Sequence, residues 1–167
     1  MAKKPKKRKS LEEGHNRKFL VVVDETPESE RALHFACRRV LHTGGRLILL
    51  RVISPADFQH WLGVGNIMRE EALDEAKKNL KRLGIEVNEI SGMTPELTIR
   101  EGDKIEEIIN LIDEDEDIAI LVLGASTEKE SPGPLVSLVA GGAHDSFSIP
   151  VTIVPGDLTD EQIDSLA

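Results

Sequence analysis

Tyrosine is absent from this chain, tryptophan occurs once, and aromatic residues make up 3% of its 167 positions. The core must therefore be aliphatic, built from Leu, Ile, Val and Ala. A single cysteine, Cys37, excludes an intrachain disulfide and fits a reducing compartment, hence a cytoplasmic location. It follows Ala36 on an apolar helix face, which reads as a buried thiol rather than a reactive one. No apolar run is long enough to span a bilayer, so membrane insertion is not expected. The basic N-terminal run has no apolar segment behind it and does not read as a signal peptide. His15, His34, His42, His60 and His144 are scattered, with neither metal-ligand spacing nor a nucleophile elbow, so no metal site and no catalytic residues are expected. His144-Asp145-Ser146 holds triad residue types, but neighbours in a helix cannot point at one another.

What is present is charge, unevenly placed. The net charge is −9, yet residues 1–18 carry Lys3, Lys4, Lys6, Lys7, Arg8, Lys9, Arg17 and Lys18 against only Glu12 and Glu13. The remainder is thus more acidic than the total suggests, and self-repulsion keeps it soluble. An acidic body repels phosphate, so no specific nucleic-acid partner is expected. Residues 1–16 read as a disordered, solvated basic tail; the sharper alternatives are a weak tether to nucleic acid or anionic lipid, or contact with the acidic body. A length of 167 residues fits one domain, here 17–155, followed by an acidic C-terminal tail, 156–167, with at most a helical turn after Thr159.

Hydrophobic patterning sets the order of elements. Short, continuous apolar runs at 19–23, 47–53, 118–123 and 150–154 predict buried strands. The alternating stretch 96–101, with Leu97 and Ile99, predicts an outer strand with one exposed face. Thr26-Pro27-Glu28 supplies an N-cap, a first-turn proline and an acidic residue for a helix carrying Leu33, Ala36, Cys37 and Val40, stopped by Gly44-Gly45. A loop from Ser54 to Gly65 precedes a second helix marked by Leu73, Ala76, Leu80 and Leu83, with Gly84 as its end and 85–90 as a short extended piece. Asp103 and Glu106 open a third helix bearing Ile105, Ile108, Ile109 and Ile112. The acidic run Asp113–Asp117 after it reads as a solvated turn, since it lacks the glycine and terminal glutamate of a calcium loop. A fourth helix, from near Leu135, contains Gly141-Gly142 and is intrinsically weak. Alternating strands and helices predict an α/β fold with a parallel, doubly wound sheet, whose ligands bind beyond the strand C-termini where strand order reverses.

The segment Val21-Val22-Val23-Asp24-Glu25-Thr26-Pro27-Glu28-Ser29 with Ala32-Leu33 resembles the opening of the universal stress protein family. Leu49-Leu50-Arg51-Val52, Arg100-Glu101-Gly102-Asp103, Ile120-Leu121-Val122-Leu123-Gly124 and Ile149-Pro150-Val151-Thr152-Ile153-Val154 match its later segments, so the resemblance covers roughly 17–155. It implies a five-stranded parallel sheet in the order 3-2-1-4-5, within the flavodoxin-like, adenine nucleotide alpha hydrolase-like three-layer sandwiches. It also implies that Asp24 and Gly124 face each other at the site mouth, with Val52 beside it.

Family members that bind ATP carry Gly-x2-Gly-x9-Gly-(Ser/Thr) after the fourth strand. Here the four positions hold Gly124, Thr127, Ser137 and Leu138, so only the first matches. Thr127 tolerates positive φ poorly, Ser137 adds a side chain at a close approach, Leu138 removes a hydroxyl, and Glu25 adds negative charge. ATP binding is expected to be weak or absent; the alternative is ATP or AMP on a non-standard loop using Ser126, Thr127, Ser131 and Gly133. Asp24 is either a ligand on the base and ribose side or a local cap.

Three functions compete. The first is a non-enzymatic stress-response regulator acting through dimerisation and an unidentified protein partner. The second is a receiver-like phosphoacceptor, which Asp24-Glu25 suggests, although strand 3 ends in Glu101-Gly102 without an aspartate and Val154 stands where a lysine is needed. The third is slow nucleotide hydrolysis, which the altered loop disfavours. Within the family two chains commonly pair through the fifth strand, which points to Val151, Thr152, Ile153 and Val154 as a homodimer edge; the rival is capping of that edge by the C-terminal tail.

Overall fold

Three strands apolar on both faces must be covered from both sides, and that requirement dictates the layers. In the computed structural model, which describes residues 6–55, 65–142 and 147–167, ten elements follow one another. They are β1 (Lys18–Val22), α1 (Pro27–Thr43), β2 (Arg46–Ile53), α2 (Gly65–Ser91), β3 (Glu96–Glu101), α3 (Lys104–Glu114), β4 (Ile118–Ala125), α4 (Pro134–Ala140), β5 (Val151–Pro155) and α5 (Asp160–Leu166). The sheet has the order β3-β2-β1-β4-β5, every pairing parallel.

Strand alternation divides the core in two. Phe19, Val21, Leu49 and Val122 pack with Ala32, Ala36, Cys37 and Val40 of α1 and Leu80, Leu83 and Val87 of α2. Leu20, Ile48, Leu50 and Leu121 pack with Ile108 and Ile112 of α3 and Val136 of α4. Thr26 caps α1 as expected, and Gly44, at φ 78°, ends it. Burial pushes the Cys37 thiol up, which keeps it protonated and unreactive.

The structure corrects four expectations. First, α2 does not stop at Gly84; it runs on to Ser91. Leu80, Leu83 and Val87 form one buried helical stripe, and burying Val87 outweighs the helical cost of one glycine. A Cβ at Gly84 would lie 3.7 Å from Leu97, so the position packs closely on β3. The true stop is Gly92, at φ 71°, whose N–H bonds the Asn88 carbonyl at 2.7 Å. Second, α4 ends before Gly141-Gly142 rather than containing them, with Gly141 N–H closing on Ser137 O. Third, the C-terminal segment forms a helix, α5. Thr159 and Gln162 complete a reciprocal capping box, and Ile163 is fully buried. The loop expected from Ser54 to Gly65 and the triad-type residues 144–146 lie largely or wholly outside the described residues.

Fourth, the basic N-terminal segment contacts the acidic run. The Arg8 guanidinium donates to the carbonyls of Ile112, Asp115 and Ile118, which covers orphaned acceptors at the C-terminus of α3. Lys9 pairs with Glu116 at 2.9 Å, His15 with Asp117 at 2.6 Å, and Lys18 with Asp115 at 2.7 Å. Hydrogen bonding to Lys9 holds the Glu116 carboxyl below its usual range. Asp115 and Glu116, which oppose the helix dipole, are thus offset by Lys18 and Lys9, more than 90 positions away in sequence.

Candidate functional site

The cleft lies at the carboxyl ends of β1 and β4, where strand order reverses. After Val23 donates to Leu50 O at 2.9 Å, the chain leaves the sheet and turns into α1. Asp24 organises that turn. Its backbone N–H donates to Ser29 Oγ at 3.0 Å, and its Oδ1 accepts the Thr26 backbone N–H at 2.8 Å and the Thr26 hydroxyl. Thr26 Oγ1 in turn accepts from Ser29 N. One carboxylate oxygen of Asp24 is therefore committed to holding the α1 N-terminus, the capping role of the two open to it.

Gly124 faces this turn from β4. A Cβ there would sit 2.1 Å from the Glu28 carbonyl oxygen, so α1 can cross the end of β4 only because residue 124 is glycine. Gly156 has a similar constraint, with Ala125 O at 2.5 Å from its hypothetical Cβ. The match of Gly124 to the phosphate-loop pattern thus has a packing cause in this chain.

Asp24, Thr26, Ser29, Lys104, Gly124, Gly133, Leu135 and Val136 are among the residues lining an open cleft of about 420 Å³. Of the residues singled out from sequence, Asp24, Thr26 and Gly124 come together here. Glu25 points away and pairs with Arg51 at 3.8 Å. Val52 is buried against the α3 side of the sheet rather than lining the cleft. Ser126 is half-buried, its N–H donating to Pro132 O and its hydroxyl accepting from Glu128 N–H at 3.2 Å. Thr127, Ser137 and Leu138 are exposed, and none lines the cleft. Ser137 and Ser131 share a hydrogen bond at 3.2 Å, and Ser131 accepts from Gly133 N–H, so these two hydroxyls are engaged within the loop. Among the described residues no non-glycine adopts positive φ, so Thr127 is accommodated without the strain a glycine position would impose.

Lys104 was not singled out from sequence; Ser29 and Glu28 entered only with the family motif and the α1 start, and Gly133 only as a donor of the alternative loop. Ser29 is buried in the first turn of α1, and Gly133, at φ 102°, sets the entry to α4. Lys104 is the one cation among the lining residues, facing a cleft that also holds Asp24 and Glu28. Its only sequence signal is a lysine directly after an N-cap, where the helix dipole disfavours it. Among the described residues, neither histidine nor cysteine lines the cleft. Among the described residues no group of three or more His, Cys, Asp or Glu side chains is arranged for a metal ion, and no helix is long and apolar enough to cross a membrane.

The family model described as "Universal stress protein family" matches residues 15–155. Comparison with curated proteins gave no match. The fold is similar to that of the universal stress protein UspA from Lactobacillus plantarum, with 20% identity, a TM-score of 0.69, and coverage of 83% of this chain and 97% of that one. A universal stress protein in complex with cAMP aligns at 19% identity and TM-score 0.62, covering 83% of this chain and 96% of that one. The universal stress protein from Archaeoglobus fulgidus in complex with dAMP aligns at 20% identity and TM-score 0.53, covering 83% and 97%.

Proposed function

The chain belongs to the universal stress protein family, and on that premise we propose that it is a stress-response regulator that works by binding rather than by catalysis, with weak or no affinity for ATP. The observation that carries this reading is the state of the loop after β4. Its serines bond one another, and Thr127, Ser137 and Leu138 stand outside the cleft where phosphate contacts would be needed. Asp24 and Glu28 add negative charge that opposes a polyphosphate, and Lys104 alone offsets them. The absence of an aspartate at the β3 tip, where Glu101 instead pairs with Arg69 at 2.9 Å, argues against a phosphoacceptor.

The second reading is a nucleoside monophosphate, ATP or AMP held on a non-standard loop. Two structural neighbours are complexes with cAMP and dAMP, and Lys104 offers this chain a cation for one phosphate. Calorimetry of the full chain with ATP, AMP and Mg²⁺ separates the two. Negligible heat with ATP is the expected result, and micromolar ATP affinity would refute it. If the loop register is right, Thr127→Gly, Ser137→Gly and Leu138→Ser together raise ATP affinity; no change rejects that register.

The working form we propose is a cytoplasmic homodimer joined through β5, with a further regulatory protein as partner. β5 pairs only with β4, and Ile153 on it is 40% exposed. The C-terminal helix lies on α1, which leaves the β5 edge available.

A further inference from the structure

At the opposite edge of the sheet a groove open to solvent runs between α2 and β3. Its floor is Leu80, Leu97 and Ile99, and its rim is Lys77, Lys78 and Lys81. Leu97 is 43% exposed. The lysines recur at i, i+1 and i+4 of α2, so they form one stripe along the helix flank that overlooks β3.

Charge at this stripe runs against the whole molecule. The net charge of the chain is −9, yet the three lysines have no carboxylate within ion-pair distance among the described residues. The acids nearest on β3 are already taken: Glu96 by Lys18 at 2.9 Å and Glu101 by Arg69 at 2.9 Å. Arg100, on the other face of β3, pairs with Glu107 and Glu114. Only Asp74 brings negative charge to the groove itself.

The backbone beside the groove is also unsatisfied. β3 pairs only with β2. Gly102 N–H donates inward to Ile53 O at 3.0 Å, so by strand alternation the N–H and C=O groups of Leu97, Ile99 and Glu101 face outward. Within β3 no proline or lysine guards this edge.

Apolar floor, cationic rim and free strand edge converge on one kind of occupant. We infer that this groove docks an extended acidic segment of another protein, which adds a strand to β3, sets apolar side chains on Leu97 and Ile99, and places carboxylates against Lys77, Lys78 and Lys81. Strand addition supplies main-chain hydrogen bonds, and the side-chain row supplies selectivity. A second copy of this chain does not fit: two-fold pairing of β3 with β3 would bring the two lysine stripes together, and like charges across an interface are unfavourable.

The test uses the full chain and a short fluorescent peptide of Glu-Glu-Val-Val repeats, with a Lys-Lys-Val-Val peptide as control. The acidic peptide alone binds saturably, binding weakens as salt rises, and the amides of Leu97 and Ile99 exchange more slowly in the complex. The triple variant Lys77→Glu, Lys78→Glu, Lys81→Glu loses affinity about tenfold with its circular dichroism unchanged, since exposed ion pairs are individually weak. Leu97→Asp weakens binding through the floor instead of the rim. The inference is overturned if the acidic peptide fails to bind, if the folded triple variant binds it equally well, or if amide protection falls on β5. Phosphatidylserine vesicles that capture the chain through the same lysines, with no peptide binding, would assign the stripe to a lipid surface and also overturn it.

Discussion

Two glycines carry opposite expectations, and the difference lies in what surrounds a missing Cβ. At Gly124 the added methyl group would meet the Glu28 carbonyl oxygen at 2.1 Å, and neither backbone can yield without moving α1. Gly124→Ala should destabilise the fold by about 2–3 kcal/mol, the scale of overpacking in a dense interior. At Gly84 the nearest atom is the end of the Leu97 side chain at 3.7 Å, an ordinary contact, and the backbone is helical. Gly84→Ala should therefore stabilise by about 0.5–1 kcal/mol through the cost of glycine in a helix. Urea denaturation of both variants checks the pair; equal effects would refute the packing account of Gly124. Asp164 offers a second residue-level test. Hydrogen bonds from Arg38 and then His34 lower its carboxyl from 3.8 to about 2. A depressed carboxylate contributes stability that is complete above its unfolded pKa and lost as pH falls through the folded one. Docking of α5 should hence hold at pH 5 and loosen between about pH 4 and pH 2, read by amide exchange within α5. Asp164→Asn should remove that pH step.

At the scale of elements, the two chain ends behave differently from their compositions. Both are polar, and composition alone reads them as solvated. α5 instead buries Ile163 and secures its polar face with Arg31–Asp160 and Arg38–Asp164 contacts to α1. The Arg8 guanidinium covers the carbonyls of Ile112 in the last turn of α3, Asp115 at its cap and Ile118 at the start of β4, an acceptor cluster that only a tertiary contact supplies. Deleting residues 1–16 should leave the five-stranded sheet intact by circular dichroism but lower the melting temperature. Arg8→Ala should reproduce part of the loss, about 1–2 kcal/mol, because hydrogen bonds from a charged donor are the stronger kind. An unchanged melting temperature in both would show that this docking contributes nothing. The extension of α2 follows the same logic: Gly84 is a local breaker, and burial of Leu83 and Val87 overrides it.

For the whole molecule, the proposed associations lie at the two edges of the sheet. β5 exposes Ile153, and α5 does not pair with it. Light scattering at micromolar concentration should report a dimer that Ile153→Lys converts to a monomer with helical circular dichroism retained; a monomeric wild-type chain across that range contradicts β5 pairing. The lysine stripe beside β3 discourages the same self-association at the other edge, so the proposed partners differ, a copy at β5 and an acidic segment at β3.

The sequence by itself determined the strands and the α1 cap, because each rests on local rules: continuous apolar runs for buried strands, Thr26-Pro27 for a helix start, and alternation at 96–101 for an edge; the order of the strands came from the family resemblance. With that order, Asp24, Thr26 and Gly124 fall where β1 and β4 end, and the structure brings these three together. Only the tertiary structure decided which glycine ends α2, what offsets the acidic run 113–117, and that Lys104 reaches the cleft while Thr127, Ser137 and Leu138 do not. These outcomes depend on groups distant in the chain: Val87 against the sheet, Arg8 against Ile118, and α3 entering from β3 beside the end of β1. A local pattern carries the propensity of a segment, whereas burial and charge compensation are set by whatever the fold brings next to it.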